Sequence, residues 1–183
     1  MKENEIQYPY MPHGRVFVYV GADNPFMIEA RNYARKCSSD RQHSTGAVLV
    51  RDRQVIARAA NQVPIKNQAV AELHRQGLCI RRLLKIPTGQ KYWACFGCAA
   101  PKNHSECGLV REAEKTGSDL AGTDIYLWGH WWCCEPCWRE MERVNIGQVY
   151  LLENSQILFN KNHPDNIIGR LEDSSVDSPP YTF

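Results

Sequence analysis

The triplet His104-Ser105-Glu106, followed by Cys134-Glu135-Pro136-Cys137, constrains the fold more than any other feature of the chain. Between Glu106 and Cys134 lie 27 residues, room for one helix, a turn and a strand. The pattern from Ser105 to Lys115 predicts a helix that begins at the first cluster. Asp124 to Trp128 predicts a strand, and Glu135 to Val144 a second helix with Pro136 in its first turn, where proline is tolerated. Each cluster then stands at a helix N-terminus. A fold that uses both clusters together must bring two helix starts to one point.

One imidazole and two thiolates suit Zn²⁺ and leave its fourth tetrahedral position open, as in catalytic rather than structural sites. Zinc in such a site lowers the pKa of water toward ~7. A helix N-terminus favours the negative charge of the thiolates. The spacing makes His104, Cys134 and Cys137 the expected ligands. Glu106, two residues beyond the histidine, reaches the site without binding the metal and can carry protons. The pattern H-x-E with P-C-x-x-C is the signature of zinc nucleobase deaminases. Here Cys133 stands where proline usually precedes the first cysteine. Cys134 keeps the two-residue gap to Cys137 and is the preferred ligand, with Cys133 as the alternate. The competing view is a His, a Glu and cysteines scattered over core helices. It requires three ligand types and an α/β pattern to coincide by chance.

The rest of the chain supplies the frame. Arg15 to Val20 reads as a strand, and Asn24-Pro25 starts a helix through Cys37. Residues 38–44 form a polar loop. Gly46 to Arg51 and Gln54 to Ala60 form a hairpin around Asp52-Arg53. A helical pattern covers 67–84, and an irregular insert with Pro87, Gly89 and C-F-G-C reaches Asn103. Gln148 to Glu153 is the last strand. Residues 1–14 look irregular, and the tail from Asp173 looks loose. A hairpin followed by alternating helices and strands predicts an α/β domain with a mixed sheet, in one domain over 1–172.

The 183 residues suit a single domain. A formal charge of +2 gives no strong overall field, so phosphate recognition has to be local. No apolar run approaches the ~20 residues of a membrane span, and the first residues have no apolar core of a signal peptide. The expected compartment is the cytoplasm and no membrane partner is expected. The eight cysteines therefore suggest metal sites rather than a disulfide framework.

These motifs resemble the deoxycytidylate deaminase branch of the cytidine deaminase superfamily, over roughly residues 25–153. Beyond the zinc motif, C-S-S-D at 37–40 with T-G-A-V-L-V at 45–50, A-N-Q-V-P at 60–64, D-I-Y-L at 124–127 and G-Q-V-Y-L at 147–151 carry the resemblance. It implies a three-layer fold, a mixed sheet of about five strands flanked by helices. It also implies zinc-dependent hydrolytic deamination of a cytosine nucleotide. Asn61 would bond the sugar hydroxyl, the backbone N–H of Ser105 would face the pyrimidine carbonyl, and the Ser38/Asp40 loop would lie near phosphate or sugar. A homo-oligomer is the expected assembly.

Departures keep other substrates open. The run Y-L-W-G-H-W-W-C-C at 126–134 is longer than the family's, and its tryptophans are similar to those of polynucleotide cytidine deaminases. Trp128, His130, Trp131 and Trp132 can stack on a base or pack the core. Of these, His130 and Trp131 are the pocket candidates. A base in single-stranded DNA or RNA, or another amino-substituted ring such as a pterin, guanine or a nucleoside antibiotic, is the alternative substrate. A zinc-stabilised binding protein without activity is the remaining class, and Glu106 argues against it.

The insert carries a second ligand pattern: His74, Cys79, Cys95 and Cys98. Four soft donors ending in C-x-x-C fit a closed structural zinc site, with Cys37 and Cys107 as substitute ligands and buried free cysteine as the other reading. Arg81 and Arg82 in the same stretch can bind a phosphate or simply face solvent.

Overall fold

The computed structural model describes residues 8–87 and 90–170. The loose tail expected from Asp173 and the start of the irregular leader lie outside them. In chain order the elements are β1 Phe17–Val20, α1 Pro25–Cys37, β2 Gly46–Arg51, β3 Gln54–Ala60, α2 Gln68–Arg75, α3 Ile80–Leu83, α4 Ser105–Lys115, β4 Asp124–Trp128, α5 Glu135–Arg143, β5 Val149–Leu152 and α6 Ser155–Leu158. The five strands form one mixed sheet in the order β1-β5-β4-β2-β3. β1, β5 and β4 run parallel to one another, and β2 is antiparallel to both β4 and β3.

Strand residues alternate between the two faces, and here both faces are covered. Ala47, Leu49, Ile125, Leu127, Val149 and Leu151 point to the side of α4 and α5, where they pack with Leu109, Val110, Trp138 and Met141. Val48, Val50, Tyr126, Trp128 and Leu152 point the other way, onto Met27, Ala30 and Ala34 of α1 and onto Phe159. The result is the three-layer α/β arrangement expected. Asn24 fixes the start of α1, where its side chain accepts from the N–H groups of Phe26 and Met27 ahead of Pro25. No helix among the described residues is long and apolar enough to cross a membrane.

Two local expectations change. The continuous helical pattern over 67–84 breaks into α2 and α3, because the chain turns at Gln76-Gly77 and swings Cys79 inward. Periodicity alone did not register this break, since apolar residues continue on both sides of it. The second change is α6, a single turn after β5 that the sequence pattern does not announce. No residue of α3 is buried, so packing on the core does not explain its position.

Candidate active site

The ligand residues occupy helix caps. His104 is the N-cap of α4 and Cys134 the N-cap of α5, and neither helix has the usual side-chain cap bond. Each helix forgoes a stabilisation of about 1 kcal/mol and presents donor atoms and unpaired first-turn N–H groups at the same place. Both helices lie on one face of the sheet, which brings the two caps together. His104 Nδ1 is 3.4 Å from Cys134 Sγ and 3.5 Å from Cys137 Sγ, and the sulfurs are 3.3 Å apart. Tetrahedral zinc, with bonds of about 2.3 Å to sulfur and about 2.0 Å to nitrogen, separates such donors by roughly 3.5–3.8 Å. The triangle is slightly tighter than this and needs only a small opening to take the metal, with one corner left over. His104 Nε2 lies 3.2 Å from the Ala99 carbonyl. A proton on Nε2 makes that bond and turns the lone pair of Nδ1 toward the sulfurs.

Glu106 is 5% exposed and lines the cavity beside this triangle. Its Oε2 accepts from Ser105 Oγ at 3.0 Å. Cys133 lies fully buried behind it and outside the donor group. Burial, then the charge of Glu106, pushes the Cys133 thiol well above the ordinary range. Cys134 goes the other way. A hydrogen bond with Cys137, helped by His104 and opposed by burial, brings it to about 6.

The cavity above Glu106 has a volume of about 430 Å³. One wall is a stacked imidazole pair, His43 and His130, with centroids 5.3 Å apart and planes 6° from parallel. His43 Nε2–H donates to the Gly129 carbonyl at 2.7 Å. Gly129 has φ +88, and a Cβ there would meet the Ser44 carbonyl oxygen at 2.3 Å, so only glycine makes this turn. His130 Nδ1 accepts from the backbone N–H of Trp131 and of Trp132, at 3.1 and 3.3 Å. Burial lowers His43 to about 4 and His130 well below its usual range, so the wall is uncharged at neutral pH. Trp132 packs on Tyr8, 5.0 Å between centroids.

Asn61, His130 and Trp131 all line the cavity. Asn61 Oδ1 accepts from Ser38 Oγ and from Thr45 N–H, and Nδ2 donates to the His43 carbonyl. One Nδ2 proton is left for a ligand. Asp40 lines the cavity and Ser38 stands behind it, bonded to Asn61. Burial, against N–H donation from His43 and Gln42, raises Asp40 to about 6. The Ser105 side chain is fully buried, and its backbone N–H belongs to the first turn of α4. Trp128 is core: it meets Phe159 edge-on at 5.3 Å and lies under the Arg35 guanidinium.

The insert brings its four donors together. Cys79 Sγ is 3.9 Å from Cys95 Sγ and 3.6 Å from Cys98 Sγ, and Cys98 Sγ is 3.7 Å from His74 Nε2. All four donor atoms lie within 4.8 Å of one another, a closed set with no corner for water. A Cβ on Gly97 would stand 2.2 Å from the His74 ring, which is why the middle of C-F-G-C is glycine. The substitute ligands drop out of this group: Cys107 packs at 3.7 Å against Cys137 of the other cluster, and Cys37 is in neither.

Tyr8, His43, Tyr92 and Lys161 also line the cavity. Sequence inspection did not single them out. His43 had a faint signal, a ring inside the polar loop before β2. The other three come from segments without spacing patterns.

No curated protein sequence matches the chain. Among solved structures, a dCMP deaminase from the cyanophage S-TIM5, in complex with dCMP and dUMP, is 12% identical over 72% of this chain and 82% of that one, with a TM-score of 0.43. A guanine deaminase from Bacillus subtilis is 15% identical over 71% and 64%, TM-score 0.40. A diaminohydroxyphosphoribosylaminopyrimidine deaminase/5-amino-6-(5-phosphoribosylamino)uracil reductase from Thermotoga maritima is 20% identical over 69% of this chain, TM-score 0.41, and this chain spans 28% of its length. The family model of the cytidine and deoxycytidylate deaminase zinc-binding region matches residues 21–153. With both its motifs inside that span and their donor atoms gathered at one point, the chain belongs to the cytidine and deoxycytidylate deaminase family of zinc-binding enzymes.

Proposed function

We propose that the chain hydrolyses the exocyclic amine of a cytosine nucleotide of the dCMP class, giving the uracil nucleotide and ammonia. The observation that carries this is Glu106, buried at the cavity floor beside a three-donor metal set with a free corner. His104, Cys134 and Cys137 would hold the catalytic zinc. When bound, zinc supplies Lewis acidity and makes water a competent nucleophile at neutral pH. Glu106 takes the first proton of the attacking water and delivers it to ring N3. It then takes the second proton from the new C4 hydroxyl and passes it to the amine, which leaves as ammonia while the C4–N bond breaks and the C4=O bond forms. The backbone N–H of Ser105 faces the pyrimidine carbonyl, and the remaining Nδ2 proton of Asn61 bonds the sugar. His130 and Trp131 form an uncharged wall for the ring. In the insert, His74, Cys79, Cys95 and Cys98 would hold a second, structural zinc.

A second reading, a base presented by single-stranded nucleic acid, draws on the aromatic lining from Trp131 and Trp132. The net charge of +2 disfavours it. Exposed apolar side chains on the insert, Leu83, Leu84, Trp93 and Phe96 among them, support a homo-oligomer. The substrate is tested by ammonia release from dCMP, deoxycytidine, cytosine, guanine and a cytosine-containing single strand. The expected order puts dCMP first. Reaction confined to the strand, or to a ring other than cytosine, overturns the nucleotide assignment.

A further inference from the structure

We propose that Arg82 and Lys161 form a subsite for the phosphate monoester of the substrate, with Arg81 as the positioning residue that holds this corner of the insert in place. The proposal rests on the nucleotide reading above and names the chemistry at the outer end of the same cavity.

The two cations come from remote parts of the chain. Arg82 is in α3, three residues after Cys79, and Lys161 follows α6. Both line the cavity that has Glu106 at its floor. The charge of Arg82 reaches Lys161: after partial desolvation it is the next influence lowering the proton affinity of Lys161, with Cys79 and Cys98 acting the other way. Among the described residues neither cation forms an ion pair. The carboxylates lining the cavity are Asp40 and Glu106. Asp40 is occupied with the backbone N–H groups of Gln42 and His43, at 3.1 and 3.0 Å. Two cations that line one cavity without an ion pair among the described residues are available to an anion that enters it. A phosphate monoester supplies close to two negative charges and oxygens that accept the forked bonds of a guanidinium. In a chain of near-zero net charge, recognition of that group has to come from such a local pair.

Arg81 is not free for the same task. Its Nε donates to the Gln90 carbonyl at 3.0 Å and a terminal nitrogen to the Pro87 carbonyl at 3.2 Å. Its guanidinium also lies 4.1 Å over the Tyr92 ring. One turn of helix without buried residues has no stability of its own. Cys79 at its start and Arg81 within it are what fix the direction of Arg82. The nucleotide then spans the cavity in order: ring at Glu106, sugar at Asn61, phosphate at Arg82 and Lys161.

The test compares Arg82→Ala and Lys161→Ala with the unaltered protein on dCMP, on deoxycytidine and on a cytosine-containing oligonucleotide. Binding of inorganic phosphate is followed in parallel by phosphorus NMR. Each substitution should raise KM for dCMP by about 10–100-fold, the effect of losing a charged hydrogen bond. Deoxycytidine turnover should stay within about twofold, and phosphate binding should weaken along with dCMP. Arg82→Lys should restore part of the loss, since charge returns without the fork. Both side chains are exposed, so folding is not at stake. Equal losses on dCMP and deoxycytidine, or none on either, overturn the subsite. Loss on the oligonucleotide with dCMP spared overturns the monoester assignment. If the unaltered protein turns over no cytosine substrate, yet binds phosphate through Arg82, the nucleotide-deaminase reading fails and the anion site stands.

Discussion

Glu106→Gln should keep its zinc and its fold while turnover falls by about 10²–10⁴-fold, the range of a lost general acid–base group. The amide has the size of the carboxylate and can still accept from Ser105 Oγ, which now bonds Glu106 Oε2. It cannot take a proton from water or return one to the amine. The donor triangle of His104, Cys134 and Cys137 is untouched, so zinc content per chain should be unchanged. Zinc analysis and a steady-state assay on one preparation read both halves. Near-normal turnover would remove Glu106 from the chemistry. Loss of zinc together with activity would make it a structural support of the metal site.

Cys98→Ser should have the largest effect on stability, and it should reach beyond the insert. Structural zinc in small sites contributes on the order of 10 kcal/mol to folding. The insert has little else: α3 buries nothing, and Leu83, Leu84, Trp93 and Phe96 remain exposed. Ala99 follows Cys98, and its carbonyl stands 3.2 Å from His104 Nε2. Tyr92, under the Arg81 guanidinium, meets the same imidazole edge-on at 5.8 Å. Loosening the insert therefore releases the support that orients a ligand of the catalytic site. Loss of such outer support lowers metal affinity about 10–100-fold. Zinc should fall by one equivalent at high free metal, and the remaining site should bind more weakly in competition with a chelator. A variant that keeps full zinc content and affinity would show that these four residues are only a buried thiol cluster.

The elements around the catalytic cluster were legible because local signals agree with the tertiary structure. Asn24-Pro25 is a start signal, β2 and β4 alternate between two covered faces, and α4 begins at His104-Ser105-Glu106. The pattern over 67–84 misled because helical periodicity does not register a turn that serves a metal cluster rather than the core. Soft-ligand spacing, by contrast, singled out the four insert residues whose side chains the fold gathers. The tryptophans were ambiguous because an aromatic ring suits a core and a substrate wall equally. The end of β4 separates them. Trp128, inside the strand, shares its face with Tyr126 and is buried in the core, while Trp131, beyond the Gly129 turn, is only partly buried against that core and also lines the cavity. Lys161, Tyr92 and Tyr8 were invisible because only tertiary folding brings them to the site.

The most direct measurement is anomalous X-ray scattering from crystals of the protein, recorded above and below the zinc edge. The expected result is a peak bonded to His104 Nδ1, Cys134 Sγ and Cys137 Sγ at about 2.0–2.3 Å. Glu106 should stand beside its open corner without ligating, and a second peak should lie among His74, Cys79, Cys95 and Cys98. A density map with no zinc at the first position, or with Glu106 or Cys133 closing the fourth corner, would contradict a water-activating centre.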